Sequence, residues 1–252
     1  MPFGRYNSAM ITTTPATESM GQILTNTSIL GFSQNGVSAQ AFIYNSTTNT
    51  HNTLGDQQGA NISYQQTEGN HPFQIGASFI TNIADSQGRQ DNGYGDPATD
   101  FAGFYANDYD TVKQIPGYDV YGSFGVNNLT FIGEYVTASK SFRASDLSFN
   151  GTGAKPQAMQ AEINYSMDIH SKPSTIEFMY NQTWQALALN LPQSSYSIGA
   201  STSLWRDTLE SLEYSYNINY SADDTSGGSN GKTGPAGGGT SNVIIAQVGV
   251  YF

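Results

Sequence analysis

Apolar and polar side chains alternate along most of this chain, which is the period of an extended strand with one greasy face. In residues 241–252, Ile244, Ala246, Val248, Val250 and Phe252 fall on one side and Gln247 and Gly249 on the other. Met159, Ala161, Ile163 and Tyr165 are set against Gln160, Glu162, Asn164 and Ser166 in the same way. So are Tyr196, Ile198 and Ala200 against Ser197, Gly199 and Ser201, and Leu212, Tyr214, Tyr216, Ile218 and Tyr220 against Glu213, Ser215, Asn217 and Asn219. Further strands are predicted over residues 23–32, 37–44, 61–65, 73–83, 118–126, 129–138 and 176–185, and a short one over residues 3–10. The pattern predicts about twelve strands.

The connections sort by length. Short ones lie near residues 35, 69, 127, 172 and 207, with Asn35-Gly36 a hairpin signal, and long ones near 50, 100, 148, 190 and 230. Counting back from the last strand, every short turn falls on one side. The expected fold class is therefore all-β, an antiparallel up-and-down transmembrane β-barrel, with residues 1–252 as one barrel domain and part of a larger barrel. In lipid every backbone N–H and C=O must be paired within the protein, so such a sheet must close. The apolar set then faces hydrocarbon and the polar set lines a lumen. Aromatics near strand ends, Phe73, Tyr118, Trp184, Tyr196, Tyr220 and Phe252, suit a membrane girdle. A soluble β-sandwich is the competing architecture, and would show two stacked layers with a dry middle.

Composition narrows the function classes. Charged residues make up 12% of the chain, and its net charge of −11 with scattered Lys and Arg excludes nucleic acid as an expected partner. No apolar run approaches the length of a membrane helix, which leaves a strand-built membrane protein open. There is no Cys, so neither disulfides nor thiolate metal sites are expected. Residues 1–6 lack the basic region and apolar core of a signal peptide, and the expectation is that an upstream part, with the first strands, is missing.

A chain stopping on Phe after an alternating strand resembles the closing strand of bacterial outer-membrane barrels. That resemblance implies recognition of Phe252 by the barrel-assembly machinery, and outer-membrane lipid and lipopolysaccharide as surroundings. The segment PFGRYNSAMITTTPATESMG, the strands after it and the terminal QVGVYF together resemble the LbtU-type siderophore porins, over most of the chain. The resemblance implies TonB-independent uptake of a ferric siderophore across the outer membrane. It also implies an upstream signal peptide, coiled-coil segment and early strands that this sequence does not carry.

Candidate chemistry follows from the predicted faces. Asp119, Glu134, Glu162, Glu177 and Glu213 fall on the inner face, where they could make the lumen prefer cationic solutes, or merely hydrate the wall or pair with a cation such as Arg143. The long loop of residues 85–116 offers Tyr94, Asp96, Tyr105, Asp108 and Tyr109 as ligand contacts. Its acidic run lacks the spacing and closing Glu of an EF-hand, so no metal site is assigned and no cofactor is expected. His51, His71 and His170 all lie in loops or turns, away from any strand serine, so no catalysis is expected. The leading function is an outer-membrane channel for ferric siderophores or other small solutes. The alternative is a barrel used as an adhesin or surface anchor through its long acidic, aromatic loops.

Overall fold

A computed structural model describes residues 3, 8–46, 55–69, 71–86, 113–228, 233–235 and 237–251. Its main feature is one antiparallel sheet of eleven strands in sequence order. They are β1 (Thr27–Gln34), β2 (Val37–Tyr44), β3 (Gln57–Gln66), β4 (Phe73–Ile80), β5 (Gly117–Val126), β6 (Leu129–Ala138), β9 (Gln157–Ile169), β10 (Lys172–Trp184), β11 (Ser194–Thr202), β12 (Thr208–Ile218) and β15 (Thr240–Val250). Four shorter strands, β7 (Leu147–Phe149), β8 (Thr152–Gly153), β13 (Thr225–Gly228) and β14 (Thr233–Pro235), form a separate small sheet from two of the long connections. The tight turns have a local cause: Asn35 and Gly36, like His170 and Ser171, both take positive φ, which suits the twist of a two-residue hairpin. His170 is thereby accounted for as a turn residue.

The two faces of the sheet are chemically opposite, and they are inverted relative to a soluble protein. An outward row of directly paired residues, Phe73, Phe124, Phe131, Ile163, Phe178, Ile198, Tyr214 and Ile244, crosses eight strands without a polar member. Most of these side chains are exposed, Ile198 to 51% and Ile244 to 73%. The inward row Glu134, Gln160, Asn181, Ser195 and Asn217 runs parallel to it, and all but Asn217 are buried. A large contiguous apolar surface with buried polar side chains behind it is the informative departure from ordinary globular packing.

The predicted strand over residues 3–10 is not formed where it is described. Phe3 is buried, and Ser8, Ala9 and Met10 run as coil across the inner face, because their N–H groups find side-chain acceptors rather than a neighbouring strand. Residues 8–23, including the short helix α1 (Ala16–Gly21), form a strap across the inner face, lying against β6, β9, β10 and β12. At the end of the sheet carrying the long connections, Phe3, Met20 and Ile23 pack with Phe42, Tyr44, Ile80, Ile83 and Val136 into a dry core. Phe142, Leu147 and Leu189 of the long connections complete it. The interior is thus polar at mid-height and apolar at one end, rather than watery throughout as the alternation alone predicts. A sandwich's second large layer is absent among the described residues, and the eleven-stranded sheet is not closed, β1 and β15 each pairing on one side.

Candidate functional site: the luminal wall and its strap

Two of the five predicted inner carboxylates, Glu162 and Glu213, bond the strap, and a third, Glu177, lies between them. Glu213, on β12, is 1% exposed and accepts four hydrogen bonds: from Ile11 N–H (2.7 Å) and Thr12 N–H (3.0 Å) on one oxygen, and from Thr12 Oγ1 (2.7 Å) and Thr13 N–H (2.7 Å) on the other. Glu162, on β9, accepts from Ala9 N–H (2.7 Å), Ser8 Oγ (2.6 Å) and Gln160 Nε2 (3.1 Å). Glu177 sits between them on β10, paired across the sheet with Asn164 and Gly199, and accepts from Ser201 Oγ at 3.2 Å. The neighbouring Gly199 lets the strap approach: a Cβ there would lie 2.7 Å from Glu177 Oε2 and 3.0 Å from Met10 Sδ.

The physical logic is that coil inside a sheet has backbone donors with no ladder partner, and a carboxylate with two oxygens is the strongest acceptor available for them. Wall amides do the rest. Asn181 Oδ1 accepts from Ala16 N–H, an otherwise orphaned donor of the first turn of α1, and Thr17 Oγ1 donates to Gln160 Oε1. Glu134 is buried beside Gln160, and Asp119, on β5, is buried too and accepts from Ser78 Oγ at 2.7 Å. Arg143, considered above as a counter-charge, is exposed in a long connection.

The predicted girdle divides. Tyr118, Trp184 and Tyr196 are exposed on the outer face and Phe73 is half-buried there. They take part in two bands of ring contacts. Toward the long connections lie Phe79 with Tyr118 (5.5 Å), Tyr135 with Trp184 (6.4 Å) and Tyr180 with Tyr196 (5.0 Å). Toward the short turns lie Tyr64 with Phe73 (5.6 Å) and His71 with Phe124 (5.9 Å). Tyr220 does not belong to this surface. β12 ends at Ile218, the chain turns inward, and the ring is 3% exposed against Phe149 at 5.6 Å. Its hydroxyl lies 2.8 Å from Thr183 Oγ1 and accepts from Ala186 N–H, and burial pushes the phenol above its usual range. Phe252 and the loop candidates Tyr94, Asp96, Tyr105, Asp108 and Tyr109 lie outside the described residues. Among the described residues no three His, Asp or Glu are grouped to hold a metal ion, and no helix is long and apolar enough to cross a membrane.

The strap was the part that sequence reasoning missed. Residues 2–21 are the segment that carries the resemblance to siderophore porins, and the described part of it lies inside the sheet rather than forming a strand and loop.

Comparison with known proteins gives relatives but no characterised one. No protein-family model matches the chain. It is 38% identical over 262 residues to a UPF0422 protein of Coxiella burnetii, covering 100% of this chain and 54% of that protein. It is 36% identical over 267 residues to UPF0422 proteins of Legionella pneumophila strains Lens and Paris, covering 100% of this chain and 49% of each. The chain therefore spans about half the length of the curated relatives it matches. Among solved structures it is similar to OmpT, an outer membrane protein of Vibrio cholerae, with a TM-score of 0.48 and 10% identity over 89% of this chain and 64% of that one.

Proposed function

We propose that this chain forms wall and internal stopper of an outer-membrane β-barrel channel for small solutes, with ferric siderophores as the solute class. The observation that carries the membrane reading is the inversion of the sheet: an unbroken apolar row faces outward across eight strands while carboxylates and amides are buried behind it. A bilayer is the surrounding that stabilises such a surface, and the two aromatic bands fit its two interfaces. The solute class rests on the resemblance of residues 2–21 and 247–252 to siderophore porins.

Parity sets what closure would require. In a sheet of eleven strands that reverses at every step, β1 and β15 run in the same direction. An all-antiparallel barrel then takes an odd number of further strands between them. The length of the relatives, about twice this chain, supports that reading.

In planar bilayers the protein carrying the further strands is expected to show low resting conductance, and its variant lacking residues 8–23 steady stepwise current. If folded protein of both kinds stays silent, the channel reading falls. The surface-anchor alternative, which the dry core at the long-loop end favours, then takes its place. The solute is tested by uptake of radiolabelled ferric siderophore in cells with and without the gene, where equal uptake removes the siderophore assignment.

A further inference from the structure

Between strap and wall lies a cavity of about 250 Å³, room for roughly eight water molecules at their share of liquid volume. Its wall side is built by Asn181, Ser195, Ser197, Ser215 and Asn217, inward residues of β10, β11 and β12, and its strap side by Thr12, Thr13 and Thr14. All of these are uncharged. The nearest carboxylate, Glu213, turns both oxygens to the strap and so presents no open acceptor to the cavity.

The polar lining itself points to a ligand. Ser197 and Ser215 share one hydrogen bond at 2.8 Å, so whichever hydroxyl accepts keeps its own proton to donate. Opposing apolar surfaces complete the lining, Leu191 and Pro192 from the β10–β11 connection and Val243 and Ile245 from β15. Hydroxyl and amide groups beside flat apolar contacts match a ring that carries hydroxyls on its edge and C–H groups on its faces.

We propose that this cavity is a subsite for an uncharged, hydroxyl-bearing solute of about monosaccharide size, held between the strap and β10–β12. The inference rests on the lumen being a solute path, and gives that path a preference for neutral polar groups at this point.

The test is saturation-transfer NMR on the full chain folded in detergent micelles, titrated with glucose and with glucuronate as its charged counterpart. Glucose is expected to receive saturation and glucuronate to bind about tenfold more weakly, because the carboxylate of Glu213 lies directly behind the strap residues Thr12 and Thr13 that line the site. Asn217→Ala is the primary variant: it removes a half-buried amide of the lining and leaves the strap's bonds to Glu213 in place. It should weaken glucose binding about tenfold, and Ser215→Ala should do the same independently. Absence of glucose binding, equal binding of glucuronate, or indifference to both variants would overturn the proposal. Glucose binding in a chain that carries no current leaves the subsite standing and removes the channel. Current without glucose binding removes only the subsite.

Discussion

Replacing Glu213 by Ala should release the strap. Four hydrogen bonds converge on this one carboxylate, three from consecutive backbone N–H groups and one from a hydroxyl. Bonds to a charged group are worth about 1.5–3 kcal/mol each, giving an upper bound of roughly 6–12 kcal/mol for the set. They are not independent, and water can replace part of what is lost, so about 3–5 kcal/mol is the expected weakening. At 1.4 kcal/mol per factor of ten, the released population should rise by about 10²-fold to a few times 10³-fold. The chain has no Cys, so a single Met10→Cys substitution reports on the strap without interference. Met10 is 7% exposed and packs near Gly199, so a thiol there reacts with maleimide only when the strap leaves the wall. With reclosing faster than labelling, the rate follows the open population. Glu213→Ala in the Met10→Cys background should label about a hundredfold faster or more, and Glu162→Ala, which removes two strap bonds, by a smaller factor. Equal labelling rates in a chain that still shows heat-modifiable mobility would mean that the carboxylates do not hold the strap.

Other consequences can be measured separately. Ile198→Lys, in the middle of the outward row, should cost about 2–4 kcal/mol in urea titrations of vesicle-refolded protein, whereas a water-exposed position would change by less than about 0.5 kcal/mol. Gly59→Ala would put a Cβ 2.2 Å from the buried Phe42 ring, and the overpacking should lower stability by about 1–3 kcal/mol in the same titration. Tyr220→Phe should cost about 1–2 kcal/mol through its two lost hydrogen bonds. Because the folded phenol is raised above its unfolded value of about 10, the stability it contributes is present below that pH and lost as pH climbs toward the folded value. Ultraviolet titration of wild type against Tyr220→Phe should show the variant lacking one late-ionising tyrosine, and identical late steps in the two would refute the burial argument.

The wall was legible because alternation is a local property. Each of Met159, Ala161, Ile163 and Tyr165 announces its face by its neighbours, and the register then aligns Ile163 with Phe131 and Phe178 as expected of one outward surface. The inner placement of Glu134, Glu162, Glu177 and Glu213 was legible for the same reason. What they touch was not. The partners of Glu162 and Glu213 lie 153–202 positions away in sequence, in a coil whose own pattern resembles a weak strand. Tyr220 misleads in the opposite sense: the even-numbered alternation of β12 runs on through it, but the ladder stops at Ile218 and Asn219 N–H bonds Gly239 instead. A periodic signal says which way a side chain points only while the strand lasts.

The strap precedes β1 in the chain, yet its anchors belong to β9, β10 and β12. The strap therefore waits for strands made 153–202 positions later before it can dock. Closing so long a loop is slow and entropically unfavourable, so the sheet should assemble with a vacant interior and receive its stopper as a late step. On the channel reading proposed above, an assembly intermediate would pass solutes before the strap had docked.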